Sequence, residues 1–470
     1  MKNRFVLAAD NNAAPQALTA NGAPTNVTTG DRCLDLFSVI GSKSANILDL
    51  WQQAYYENPQ VATRILLWSY DMREGAGRRD NFITIMRWLE VNNPNLAIGL
   101  LPFIPHFGRW KELLSFELDS PVRRAAYEVI WRGLNNKETS GLAAKWMDRQ
   151  DRLAREYFNM TPKKWRKFLV ERTDVVETKM CNKEWGSINY QHVPSVAGQR
   201  YRKAFTKHDA TRYSQYIESV AKGEAKMNTS VLFPHDVIRG IGNTGYNRAV
   251  QVSWDNLPSY YDPSKNKALV MIDTSGSMSI RVSGSISAMD ISTSLGIYVA
   301  QRNKGPFANR AISFSSRPNW LNFTNMNLQE ALRHSRTNSG LSTNLQGAFD
   351  LILSTAVVNH ISQEDMPDSI IVISDMEFDD YSAQSNKTNF EHVEDKYRAA
   401  GYKRPNIIWW NVAGRAGNSP TKKDDYGNAM VSGYSPRILQ SVLGNDSISP
   451  LQVVLDTVGK DRYTINGITA

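Results

Sequence analysis

About midway through the 470-residue chain, an apolar run, ALVMID (268–273), ends in the text DTSGSMS. Asp273, Ser275 and Ser277 fall at every second position. On a loop leaving a strand, that spacing can turn one carboxylate and two hydroxyls to the same side, and Gly276 lets the chain bend tightly. Only oxygen is offered. Hard cations take oxygen ligands, and Mg²⁺ prefers six of them at about 2.1 Å. Two later segments can add to the set. The apolar run SIIVISDM delivers Asp375 at its end, and the loop GLSTN delivers Thr343 just before an amphipathic helix. If the three segments meet, these residues form an oxygen-only Mg²⁺ site completed by waters, with one position open. Glu377, Asp379 and Asp380 follow closely and read as an acidic surface loop rather than a catalytic base.

A second chemistry is cationic. Residues 104–230 hold 24 Lys and Arg against 15 Asp and Glu, so this segment carries the chain's whole net charge of +9. A basic excess confined to one segment suits a polyanion, most often nucleic acid. The cations interleave with aromatics. AAKWMDRQDRLAREYF carries Lys145, Trp146, Arg149, Arg152 and Arg155; PKKWRKFL carries Lys163, Lys164, Trp165, Arg166 and Lys167. QRYRKAFTKHD carries Arg200, Tyr201, Arg202, Lys203, Lys207 and His208. Cations neutralise phosphates and release counterions, and aromatic faces can stack on unpaired bases. Here Trp146, Trp165, Phe168 and Phe205 read as core anchors, and the cations as a functional surface.

Two kinds of element must position these groups. From Ser42 to Gln251 apolar residues recur at helical spacing, cut by stop signals at Asn58-Pro59, Gly75 and Gly77, Asn93-Pro94 and Gly108. This predicts short helices joined by short turns, an irregular, HEAT-like helical-repeat array. From Lys267 strands and helices alternate: strands at 268–273, 311–316, 369–376 and 406–414, helices at 287–303, 344–359 and 390–401, and two helices, PRILQSVLG and SPLQVVLDTVG, at the end. Continuous apolar strands between amphipathic helices predict a doubly wound parallel sheet covered on both faces, with its site at the carboxyl ends of the strands. Residues 1–30, rich in Ala, Asn, Thr, Gly and Pro, read as a disordered arm. The expected division is 1–30 arm, 31–260 helical domain and 261–470 sheet domain.

Composition excludes several classes. Two cysteines, Cys33 and Cys181, rule out a disulfide scaffold or a Cys-rich zinc module and suit a reducing cytosol. No apolar run approaches the roughly 20 residues that cross a bilayer, and FVLAA is too short for a secretory core. A cytoplasmic monomer without membrane contact is expected. No Walker-type loop, HExxH or local Cys-His pair is present. The glycines of REGAGRRD read as a turn between helices, so no enzyme is expected.

The constellation Asp273, Ser275, Ser277, Thr343 and Asp375 resembles the metal-ion-dependent adhesion site of von Willebrand factor A domains, which use D-x-S-x-S after the first strand, a distant Thr and a later Asp. The likeness covers roughly residues 265–470. It implies a Rossmann-like fold, bound Mg²⁺ and recognition of a partner's carboxylate.

A helical array followed by such a domain resembles the Ro ribonucleoprotein autoantigens, whose helical part is the TROVE module. Local echoes are IPHFGRWKELLSF, EWGSINYQHVPSVA and VLFPHDVIRGIGN. SDMEFDD, IIWWNVAG and VSGYS look closer to a Ro-like branch of viruses and plants. The resemblance implies a basic helical ring joined by the A domain. The ring would bind single-stranded 3′ ends or small structured RNA. Its implied RNA contacts are Lys163, Lys164, Arg166, Lys167, His192, Arg200, Arg202, Lys203 and His208. The alternative is an adaptor whose metal holds the Asp or Glu of a protein partner.

Overall fold

The computed structural model describes residues 17–42, 46–241, 247–262, 266–337, 340, 342–379, 389–443 and 448–465. Residues 1–16 of the expected arm, Leu341 and Asp380 lie outside them. Two compact units result: residues up to Ile65 with Ser259–Lys460, and Leu66–Pro258 with the segment from Asp461 onward.

Among its described residues, the first unit contains ten short strands. β1 (Ala17–Leu18) and β2 (Pro24–Thr25) form a small antiparallel ladder. β3 (Ala268–Asp273), β6 (Arg310–Phe314), β7 (Asn319–Asn322), β8 (Ser369–Ser374), β9 (Asn406–Asn411) and β10 (Asn428–Ser432) form one sheet in the order β10-β9-β8-β3-β6-β7. β4 (Arg281–Ser283) and β5 (Ile286–Ser287) pair beside it. All pairings in the main sheet are parallel except that of β7. Every residue of β3 and β8 is buried, as the unbroken apolar runs predict for strands covered on both faces. Gly296 lets the helix Ala288–Arg302 press on β3, since a Cβ there would stand 2.3 Å from the Ile272 side chain.

The expectation of a disordered arm is corrected from Ala17 onward. Thr19, Ala20 and Asn21 hydrogen-bond the loop after β8. The helix Arg32–Ile40 lies against β10, with the Ser432 hydroxyl donating to the Phe37 carbonyl at 2.6 Å and Asn411 Nδ2 to the Ser38 carbonyl at 3.0 Å. An edge strand left open would offer unpaired backbone to other chains, and this helix covers it. The expected boundary at residue 31 therefore gives way to one inside the helix Pro59–Tyr70. Sequence reading also missed β7, β10 and the helix Leu328–Ser335.

The second unit is helical, as expected, and its helices are short. Its longest elements are Arg79–Asn92, Pro121–Leu134 and Ser195–His208, of 14 residues each. Trp131, Phe158, Trp165 and Phe168 form a stacked aromatic cluster with centroid separations of 4.9–6.0 Å. Trp165 is fully buried, and its indole N–H donates to the Asp148 carbonyl. Among the described residues, no helix is long and apolar enough to cross a membrane.

Candidate functional site

β3 and β8 are neighbours, and the chain turns opposite ways from them: from β3 it proceeds to β6 and β7, and β8 begins the run towards β9 and β10. In doubly wound sheets the crevice at such a reversal, beyond the carboxyl ends of the strands, is where ligands bind. Asp273 ends β3, and Asp375 directly follows β8. Both are buried, and so are Ser275 and Thr343; Ser277 is exposed.

Hydrogen bonds fix this rim. Asp273 Oδ1 accepts from Ser275 N at 2.9 Å, and Oδ2 accepts from the Ser374 hydroxyl at 2.5 Å. The hydroxyls of Ser275 and Ser277 lie 3.1 Å apart. Asp375 Oδ1 accepts from Glu377 N at 3.2 Å. Ser275 bridges Gly340, which brings the Thr343 loop alongside. Thr343 N donates to Asp379 Oδ2 at 2.7 Å. Met376 takes a left-handed conformation (φ 65°), and its N–H is held by the Ser374 hydroxyl. A buried non-glycine residue in that region marks local strain, and such strain concentrates at functional sites.

Burial raises the pKa of Asp273, and the nearby charge of Asp375 raises it further; bonds from Ser275 and Ser374 work against this. Burial likewise raises Asp375, with Ser277 opposing. Two buried carboxylates that disfavour their charge are what a bound cation would relieve. The Thr343 hydroxyl is buried without a hydrogen-bond partner. Orphaned oxygen, paired carboxylates and serine hydroxyls together fit a hard cation. No three His, Cys, Asp or Glu side chains gather among the described residues, so hydroxyls would complete the set. The sequence missed Ser374, which steadies Asp273, and it read Asp379 as a surface acid although it fixes the Thr343 backbone.

The cationic residues divide. Thr161 caps the helix Pro162–Arg172, its hydroxyl accepting from Lys164 N, with Pro162 in the first turn. Trp165 and Leu169 anchor the helix inward, and Lys163, Lys164, Arg166 and Lys167 are exposed. Lys167 reaches Glu171 at 3.7 Å. On Ser195–His208, Arg200, Lys203 and His208 are exposed, and His208 stacks on Trp185 at 4.7 Å. His192 is exposed on a short turn before that helix.

Arg202 is a correction. It is 7% exposed and donates to the Gly240 carbonyl at 3.0 Å and to Gln199 Oε1 at 2.9 Å. It lies seven positions after Ser195 and three before Phe205, on the buried face of its helix, and is a structural group. Trp146 corrects the opposite way. Read as a core anchor, it is only partly buried, and three cations surround it.

Fold and site define a class: a helical unit rich in surface cations, coupled in one chain to a mostly parallel α/β sheet with an oxygen-lined rim. The chain belongs to the family described as Domain of unknown function (DUF2828), whose model matches residues 19–118 and 127–271. A second model, Domain of unknown function (DUF7788), matches 267–463. Uncharacterized protein L728 of Acanthamoeba polyphaga mimivirus is 25% identical over 515 residues, spanning 96% of this chain and 88% of that protein. Among solved structures, the RO (RSR) protein of Deinococcus radiodurans aligns over 92% of this chain and 100% of its own, with 13% identity and a TM-score of 0.45.

Proposed function

We propose that the protein is a Ro-like RNA-binding protein without catalytic activity, gripping single-stranded ends or small structured RNA through its helical unit. The observation that carries this is the exposure of Lys163, Lys164, Arg166 and Lys167 on one helix, with Arg200, Lys203 and His208 exposed on another. These lie in the segment that holds the chain's whole basic excess. Phosphate-led binding of this kind is steeply salt-dependent and weak in sequence preference. The test is RNA affinity across a salt series for the full chain and for a variant with all four cations of Pro162–Arg172 changed to Glu. The variant should lose binding, and its salt slope should flatten by about 0.7 for each phosphate it no longer neutralises. Full affinity in the variant at low salt would refute the proposal. Sequencing of co-purified RNA would identify the ligand.

Asp273, Ser275, Ser277, Thr343 and Asp375 are proposed to hold Mg²⁺ in a domain of von Willebrand factor A type. Bound there, the cation would supply a Lewis-acidic position for a carboxylate oxygen. Exposure of Ser277 on an otherwise buried rim favours a second reading, in which the protein is an adaptor that captures an acidic side chain of a protein partner. Calorimetry with MgCl₂ should give binding to the wild type and none to Asp273→Ala. A pull-down that recovers the same proteins with and without Mg²⁺ would count against the adaptor.

A further inference from the structure

Trp146 ends the helix Ser140–Trp146 and is only partly buried. The guanidinium carbon of Arg109 and the ammonium groups of Lys111 and Lys145 lie 5.6, 5.9 and 5.6 Å from its ring centroid. In the same unit, the guanidinium carbon of Arg172 lies 3.5 Å from the Phe168 ring centroid, in direct contact. The three cations over the Trp146 ring stand about 2 Å further out, beyond contact with it. The indole has no aromatic partner among the described residues, unlike Trp131 and Trp165. Arg109 is tied to Glu112 at 2.6 Å, whereas Lys111 is exposed and has no ion-pair partner among the described residues.

The cluster continues. Lys145 Nζ donates to Glu177 Oε1 at 2.6 Å, and the Tyr201 hydroxyl donates to the same oxygen at 3.0 Å. Arg200, exposed, is the chain neighbour of Tyr201 on the same helix. Polar contacts thus lead from Lys145, beside Trp146, through Glu177 to Tyr201, next in the chain to Arg200, one of the exposed cations of the proposed RNA surface.

We infer that Trp146 is a stacking platform for one unpaired base of a single-stranded nucleic acid, with Lys111 and Arg200 taking flanking phosphates. This rests on the RNA-binding reading above and adds where a base is held. A flat, partly open ring among cations that do not touch it suits a ligand that alternates planar bases with phosphates, whereas an acidic peptide would need the cations alone.

The test is fluorescence anisotropy of a labelled, single-stranded 15-mer of uridine with the full-length chain. Stacking losses of this type correspond to roughly 5- to 150-fold in affinity. Trp146→Ala should weaken binding about 10-fold with an unchanged salt slope. Trp146→Leu, which keeps apolar volume without a flat face, should lose as much, and Trp146→Phe should recover most of the affinity. Lys111→Gln should instead flatten the salt slope by about 0.7. Wild-type affinity in Trp146→Ala and Trp146→Leu would overturn the inference and leave RNA binding standing. Failure of the wild type to bind the 15-mer at low salt would overturn both. Equally tight binding of poly-glutamate, abolished in the same variants, would make this an acidic-peptide site and overturn it too.

Discussion

The carboxylate of Asp71 and the guanidinium of Arg462 are 391 positions apart in sequence and 2.5 Å apart in space. Asp71 is completely buried, and its carboxylate also accepts from the Tyr463 hydroxyl at 3.2 Å and from the backbone N–H of Arg73. Arg462 reaches Glu74 at 3.5 Å and lies over the Phe107 ring at 4.9 Å. Arg462 and Tyr463 are thus an integral part of the helical unit. Removing one partner of a buried pair leaves the other charged without compensation, at a cost of about 3–5 kcal/mol. Arg462→Ala should therefore lower thermal stability sharply. Asp71→Asn combined with Arg462→Ala should lose less than the two single changes together, and strict additivity in a double-mutant cycle would refute the pairing.

The same residue reports through His106. Burial lowers the His106 pKa below 6.5, and the charges of Arg462 and Arg73 lower it further. A depressed histidine favours the fold when neutral, so its contribution is present above pH 6.5 and is lost as pH falls through its native value. In an NMR titration the His106 midpoint should lie below 6.5 and rise partway in Arg462→Ala, because burial, the larger cause, remains. An identical midpoint in the variant would show that the Arg462 charge does not reach the ring.

Arg200, Arg202 and Lys203 are neighbours in sequence with different environments. Arg200 and Lys203 are exposed, and Arg202 is buried on the Gly240 carbonyl. Arg202→Ala would leave that carbonyl short of a donor and open space around it, costing about 1–3 kcal/mol. It should lower the melting temperature, whereas Lys203→Glu should weaken RNA binding with the melting temperature held. Reversed effects on these two readouts would contradict the assignment of the helix faces.

The same helix shows what could be read in advance. Strands β3, β8 and β9 were legible because a covered parallel strand is unbroken apolar text, and Asp273 and Asp375 were found because they end such text. The helical array was legible from its stop signals. Arg202 was misread because charge composition ignores helix phase, although its position seven residues from Ser195 and three from Phe205 would have revealed a buried face. The docking of Arg32–Ile40 on β10 was hidden, since nothing local says which distant edge a helix will cover. β10, with the sequence NAMVS, is too short and mixed to stand out. Trp146 was misassigned because indoles are usually interior, and only tertiary packing left its ring partly open.

Two cysteines allow a simple chemical check. Burial pushes the Cys33 thiol up to about 12, and the charges of Asp31, Glu57 and Asp35 add to this. Cys181 is exposed. Since the thiolate is the reactive form, a disulfide-exchange reagent at pH 8 should titrate one thiol promptly in the native protein and a second only in denaturant. Prompt reaction of both would mean that the helix Arg32–Ile40 does not hold Cys33 inside.

That helix also supplies a steric test. It ends at Gly41, whose N–H donates to the Ser432 hydroxyl at 2.9 Å. A Cβ on residue 41 would stand 2.3 Å from the Ser432 carbonyl oxygen, and that oxygen belongs to a sheet strand that cannot swing aside as a flexible side chain could. Overpacking of this kind costs about 1–3 kcal/mol. Gly41→Ala should therefore destabilise the sheet unit, although alanine is the better helix former. The loss should appear first as faster amide exchange in β10 and in Arg32–Ile40, because the clash parts these two elements. Ser432→Ala removes the hydroxyl that bonds Phe37 and Gly41 without adding bulk, so it should loosen the same junction more mildly. Unchanged exchange in both variants would mean that the helix does not cover the β10 edge.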